Sequence, residues 1–237
     1  MKVLIVGQGN VATNLDAAFH AKNINCQMVS SREGLDTIRQ DADVYIYAIR
    51  DEALQEVINK VHAPARAMHL HTSGTMPISV FGEDKPHCGI FYPLQTFSKN
   101  YILPDFSHVP LFIEAKNIDD VAAIYTLGLS ISNYVYEASQ QDRERLHVAG
   151  VMVNNFPNLL YGLAQDMLKG THIPFQALLP LIDETAHKVH TLSPQDAQTG
   201  PARRGDRAVI QKHEDLITNP RVKEMYHLLS ELIIDRS

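Results

Sequence analysis

The chain begins MKVLIVGQGNVATNL, and this stretch restricts the fold more than any other. Lys2–Val6 is a short apolar run rich in β-branched residues and stopped by glycine, the pattern of a buried strand. From Asn10 to Ala21, Val11, Leu15, Ala18 and Phe19 recur at helical spacing. The joint between them, GQGNVA, is a glycine turn with specific physical uses. Gly7 permits the tight turn, Gly9 lets a pyrophosphate approach the backbone without a Cβ in the way, and Ala12 is small enough for close helix–strand packing. The helix start then offers free N–H groups and the positive end of its dipole to phosphates, with Asn10 and Val11 in the first turn. A turn that binds nothing would have the same spacing, so the rest of the chain must separate the two.

Apolar runs at Asn25–Ser30, Asp43–Ile49 and Arg66–His71 predict further strands, with an amphipathic helix over Leu54–Val61. Strands alternating with helices at this spacing imply βαβ units and a parallel sheet. Pro110–Glu114 and Tyr134–Tyr136 predict late strands around a helix over Ile118–Leu127. After Ser139 the pattern changes to helix formers. Gln140–Lys169 is interrupted by Pro157, which should bend it, and its middle, VAGVMVNNFPNLLYGLA, is apolar on most faces, the pattern of a buried helix. Later helices are expected after Pro174 (with a kink at Pro180), over Arg207–Ile217, and from the Asn219 cap and first-turn Pro220. The expected architecture is an α/β domain over 1–138 and an all-helical domain over 139–237.

With 45% hydrophobic residues in 237, the chain can bury a substantial core. A net charge of -6 without a basic run argues against nucleic acid as partner, because neutralising phosphates takes clustered cations. No apolar run approaches the roughly 18 residues of a membrane helix, and the N-terminus lacks a signal core. Cys26 and Cys88 are isolated and read as buried thiols of a reducing compartment, so a cytoplasmic location is expected.

The second strand ends Val29-Ser30-Ser31-Arg32, with no carboxylate until Glu33. A carboxylate there would suit the ribose 2′-OH of NAD, whereas two hydroxyls and a guanidinium suit the 2′-phosphate of NADP. Arg32 could instead simply solvate the loop. Ligands of an open parallel sheet lie beyond the carboxyl ends of its strands, which collects Ile49 and Arg50, the stretch His71-Thr72-Ser73-Gly74, and an irregular loop over Tyr92–Phe97. His71 suits a general acid or a strand-end hydrogen bond; Ser73 suits contact with cofactor or substrate. His69 and His71 share a face, but without a third ligand of suitable spacing no metal site is expected, nor at His187 and His190. His147, Asn154 and Asn155 sit within the apolar helix, facing a cleft, the helix backbone or a partner subunit. Arg203 and Arg204, between Gly200 and Gly205, suit either an anionic substrate or an exposed loop held by an Arg–Asp pair.

VGQGNVA, HTSG at 71–74, YPLQTF at 92–97, the HVAGVMVNNF helix and TGPARRGD at 199–206 together resemble bacterial proteins classed as NADP oxidoreductases. These couple a Rossmann-like NAD(P)-binding domain to a helical domain of unknown function. More distantly the chain is similar to β-hydroxyacid dehydrogenases and pyrroline-5-carboxylate reductases. The resemblance implies NADP as cofactor, a small-molecule substrate with a carbonyl, hydroxy-acid or imine group, and a homodimer formed by the helical domains. It also exposes a departure. β-Hydroxyacid dehydrogenases carry a catalytic lysine one turn before the asparagine that matches Asn155 or Asn154, and here Val151 stands near that place. His147, His71 or a substrate needing no such acid would fill the gap, as would a protein that binds nucleotide without turnover.

Overall fold

The computed structural model describes residues 1–32 and 41–237, so Glu33 lies outside the described residues. The chain divides into two compact units, Met1–Phe156 and Pro157–Ser237.

The first unit is built on β1 (Lys2–Val6), β2 (Asn25–Val29), β3 (Val44–Tyr47), β4 (Met68–His71), β5 (Cys88–Pro93), β6 (Leu111–Ala115) and β7 (Val135–Glu137). They form one sheet in the order β2-β1-β3-β4-β5-β6-β7. Every pairing is parallel except β5 with β6. Strand order reverses between β2-β1 and β1-β3, which makes the carboxyl end of β1 the switch point of a Rossmann-type sheet.

Alternation along each strand feeds two cores. Val3, Ile5 and Ile46 face α1 (Asn10–Ala21) and α3 (Ile118–Leu129), packing with Leu15, Phe19, Ile124 and Leu127. Leu4, Val6, Tyr45 and Tyr47 face the opposite side, with Leu54 and Ile58 of α2 (Asp51–Lys60) and Phe81 of a short 3₁₀ turn. Burial on both faces is why these strands read as continuous apolar runs. One strand was not anticipated. CGIFYP carries a glycine and ends in proline, which hid its strand character; β5 therefore includes Tyr92 and Pro93, and the irregular loop starts only at Leu94.

The long helical stretch also differs from expectation. α4 (Gln140–Gly150) passes into a π turn over Val151–Asn155 and then α5 (Phe156–Met167). Pro157 has no N–H to donate and its ring crowds the carbonyl one turn back, and the wider turn upstream accommodates it. There the Phe156 N–H reaches the Val151 carbonyl. Pro180, where a kink was expected, sits in the first turn of α6 (Leu179–Lys188).

The second unit continues with α7 (Pro194–Ala197), α8 (Arg207–Leu216) and α9 (Pro220–Asp235). Asp206 caps α8 by accepting from the Val209 N–H, and Asn219 caps α9 by accepting from the Arg221 and Val222 N–H groups. Arg207 with Glu231, His213 with the Tyr226 hydroxyl, and His227 with Glu214 tie α8 to α9. The apolar helix expected to be buried is exposed in the single chain: Val153 is 77% accessible, Met152 59% and Leu159 56%. Apolar composition on most faces predicted burial, but among the described residues no element covers these side chains. Among the described residues, no helix is long and apolar enough to cross a membrane.

Candidate functional site

The glycine turn follows β1 directly. Gly7 has φ of +134°, and a Cβ there would press into the carbonyl oxygen of Ala48 and meet the Ile49 Cγ2 at 3.1 Å. Its N–H donates to the Val29 carbonyl at 2.9 Å, locking the turn to the end of β2. Gly9, at the start of α1, is different: a Cβ there would meet nothing within 4 Å. Gly7 is thus required by the protein's own backbone, while Gly9 borders open space. The first intrahelical bond is made by the Thr13 N–H to the Gly9 carbonyl, so the amides just before it have no partner within the helix. Val11 is half-buried, and the Asn10 side chain is engaged in accepting from the Lys99 N–H at 3.1 Å. Buried Asn14, one turn on, donates to the Ser98 carbonyl and accepts from the Leu103 N–H, pinning that loop to α1.

Ser30, Ser31 and Arg32 lie just past β2, beside the glycine turn. The Arg32 N–H donates to the Ser30 hydroxyl at 3.2 Å, and the Arg32 side chain is exposed. Arg50 is exposed at the N-cap of α2, and Asp51 opens that helix.

Asp51 organises the loop after β4. Its carboxylate accepts from the Ser73 hydroxyl at 2.9 Å and the Thr75 hydroxyl at 2.8 Å, while the Ser73 oxygen accepts from the Thr75 and Met76 N–H groups. The Ser73 hydroxyl is therefore committed to holding its own loop. His71 is fully buried, and its Nδ1 accepts from the Ser73 N–H at 3.2 Å. Burial first, and then the nearby Arg143 cation, push the His71 pKa down to about 4, leaving a neutral imidazole at pH 7. His69, on the same face, is hydrogen-bonded to the Tyr47 hydroxyl at 2.9 Å and pushed by burial to about 3. Both rings are thus engaged within the core, and among the described residues no cluster of three His, Cys, Asp or Glu can hold a metal.

Beyond this loop stands a cluster that the sequence pattern did not reveal. The Tyr92 hydroxyl and His147 Nδ1 are 3.0 Å apart. Gly74 packs against both: a Cβ on it would come within 2.9 Å of His147 Nδ1 and of Tyr92 Cζ. One turn earlier on α4, Arg143 is fully buried, pairs with Glu114, and donates to the Met76 carbonyl at 2.9 Å. Arg143 was hidden because arginine on a charged helix start, QQDRERLH, reads as solvated; only the fold buries it. Tyr92 was assigned to a loop without a role of its own.

Other expected residues lie elsewhere. Asn155 is exposed and Asn154 half-buried in the π turn, and neither amide has a hydrogen-bonding partner among the described residues. Arg203 and Arg204 are exposed on a turn of the second unit, and Asp206 caps a helix instead of pairing with them.

A family model described as "Domain of unknown function (DUF2520)" matches residues 109–233, more than half of the chain. The chain belongs to the DUF2520 family. This DUF2520 member is 36% identical to "putative NADP oxidoreductase BF3122" from Bacteroides fragilis, over 99% of this chain and 98% of that one, with a TM-score of 0.89. At the level of fold alone it is also similar to a Plasmodium falciparum pyrroline carboxylate reductase solved with NADP bound (11% identity, 99% and 98% covered, TM-score 0.63). An imine reductase from Myxococcus stipitatus in complex with NADP+ is comparable (8% identity, 99% and 92% covered, TM-score 0.63). No curated protein matches the chain. The DUF2520 match begins after the glycine turn and after Tyr92, so those residues stand on their geometry; Arg143 and His147 fall inside it.

Proposed function

We propose that this DUF2520 protein is an NADP(H)-dependent reductase acting on a small polar carbonyl, hydroxy acid or imine, and that it works as a homodimer. The observation that carries it is the contrast within the glycine turn: Gly7 is needed for the fold, whereas Gly9 leaves open space in front of unpaired helix amides at the sheet's switch point. The donor set fits a dinucleotide. Amides around Gly9, Asn10 and Val11 would hold the pyrophosphate; Ser30, Ser31 and exposed Arg32 the 2′-phosphate; Ile49, Arg50 and the Ser73 loop would border the nicotinamide side. The bound cofactor would supply or accept hydride. The relatives named as an NADP oxidoreductase, a pyrroline carboxylate reductase and an imine reductase support a reductase of this kind.

On the substrate side, His147 and Asn155 have unoccupied hydrogen-bonding capacity and would meet the substrate, while His71 and Ser73 would shape the loop that carries Gly74 against His147. Arg203 and Arg204 would receive an anionic substrate group. The 1–138 and 139–237 division then separates cofactor from substrate and dimer functions. The dimer would cover the exposed apolar side chains of α5 and the helices that follow, and the two free buried thiols suit the cytoplasm. Val151 at the position of the dehydrogenase lysine favours a second reading, a non-catalytic NADP sensor.

Calorimetric titration with NADPH and NADH tests the proposal: tight NADPH binding and weaker NADH binding are expected, and no binding of either refutes it. Arg32→Ala should weaken NADPH by roughly 10-fold or more, the worth of a charge-assisted bond, with little change for NADH. Equal losses would remove the 2′-phosphate assignment. Turnover of NADPH with any cyclic imine or 2-keto acid separates enzyme from sensor.

A further inference from the structure

We infer that Tyr92 is a positioning residue that fixes His147 as the tautomer protonated at Nε2, making that N–H the proton donor of the site. This rests on the reductase reading above.

The strand register sets the location. Val6, Tyr47, His71 and Ile90 lie on one rung of the parallel sheet. Tyr92 is two residues further towards the carboxyl edge, as Ser73 is past His71. Tyr92 thus stands at the same edge as the glycine turn and the Asp51-held loop, on the side reached by α4.

Hydrogen-bond inventory sets the tautomer. The Tyr92 ring is buried, and among the described residues its hydroxyl has one partner, His147 Nδ1 at 3.0 Å. A buried phenol must place its proton on an acceptor, and Nδ1 is the acceptor within reach. Nδ1 is then the unprotonated nitrogen, and the imidazole proton sits on Nε2. The ring is half-exposed, and Nε2 has no partner among the described residues. Gly74 is part of the same arrangement, because any side chain there would push into the Nδ1–hydroxyl contact. Buried Arg143, one turn before His147, lowers the cost of negative charge on the Tyr92 oxygen, against the larger effect of burial.

The step balances for reduction of a C=O or C=N bond. Bound NADPH would supply the hydride that reduces the substrate carbon and would itself be oxidised to NADP+. The Nε2–H bond breaks as the substrate oxygen or nitrogen takes that proton; the Tyr92 O–H bond breaks as Nδ1 gains its proton. The phenolate beside Arg143 recovers a proton from solvent through the same ring. This chemistry needs no lysine at Val151.

The test uses the full-length protein with ¹⁵N-labelled histidine. Long-range ¹⁵N–¹H spectra should show His147 protonated at Nε2 and unprotonated at Nδ1, and Tyr92→Phe should shift Nδ1 and release the tautomer. NADPH affinity of Tyr92→Phe and His147→Gln should stay within about twofold of wild type, while kcat with 1-pyrroline or pyruvate falls by about 10- to 100-fold at similar KM. Gly74→Ala should reproduce the Tyr92→Phe spectrum with both groups still present. A His147 protonated at Nδ1 in the wild type, an unchanged spectrum in Tyr92→Phe, or unchanged kcat in His147→Gln would each overturn the inference. NADPH binding without turnover of either probe overturns the donor role. Failure to bind NADPH defeats the reductase reading instead, and the tautomer is still decided by the spectra.

Discussion

The two units of this chain solve the problem of burial in opposite ways. Met1–Phe156 satisfies itself: each face of its sheet is filled by side chains from the same unit, and buried Asn14 and His69 find local partners, on the 98–103 loop and on Tyr47. Pro157–Ser237 buries only Ala202, Ile210 and Ile217 among its apolar residues, while Leu159, Leu181, Leu216 and Leu228 are each more than half exposed. Its helices are well capped and joined by polar pairs, so local structure is secured, but its apolar surface is not. Helix propensity and capping specify elements; burying a face takes a second surface. The glycine turn and the polar cluster thus lie in the self-contained unit, and the exposed apolar surface in the other.

Acid should break this contrast most strongly. His69 and His71 have folded-state pKa values pushed down to about 3 and about 4 by burial, against about 6.5 in the unfolded chain. Below pH 6.5 the unfolded state therefore binds protons that the native state refuses. Their contribution is fully present above that pH and is lost as pH falls towards the folded values. Each histidine costs about 1.4 kcal/mol per pH unit, on the order of 5 kcal/mol for the pair by pH 4. No histidine of the second unit is buried. Chemical denaturation from pH 7 to pH 4 should show the loss, and His69→Phe should flatten it.

The glycine turn gives the next largest effect. Gly7→Ala forces a Cβ into the Ala48 carbonyl at a φ of +134° and should cost roughly 3 kcal/mol, measurable by urea unfolding. Gly9→Ala meets only open space, so its melting should match wild type while NADPH affinity collapses. Equal stability losses in both variants would erase the distinction between a structural and a binding glycine.

Arg143→Met should destabilise the first unit by about 3 kcal/mol, because it leaves Glu114 without its buried partner. Adding Glu114→Gln should recover part of this. The smallest expected effect on folding of one chain, and the most informative about the second unit, is Leu159→Asp. A truly solvent-facing site would tolerate it within about 0.5 kcal/mol. If α5 is an assembly surface, sedimentation should show a monomer and the melting transition should fall and depend on protein concentration.

Much of the first unit was legible from residue pattern. β1, α1 and β2 emerged because β-branched runs, helical spacing and a glycine stop agree with one another over a short distance. β5 did not, since glycine and proline within CGIFYP mask a strand whose burial comes from neighbours distant in sequence. A backbone requirement writes itself into a glycine at Gly7, where the positive φ and the Ala48 carbonyl leave no room for a side chain. The site was not legible where function is a pairing across the fold: Tyr92 with His147 spans 55 positions, and Arg143 with Glu114 spans 29. Ser73 was read as a contact to cofactor or substrate and His71 as a general acid or a strand-end hydrogen bond, and their hydrogen bonds tie both into the loop.

By itself the sequence determined the order of strands and helices apart from β5, the glycine turn, the Asn219 cap of α9, and the absence of a carboxylate before Arg32, because each follows from residues within a turn or two of one another. Only the tertiary structure decided that Arg143 is buried, that Tyr92 meets His147, that His71 is neutral, and that the apolar α5 is left uncovered by its own chain. Those properties depend on which distant surfaces come together and how much water they exclude, and a local pattern does not encode that.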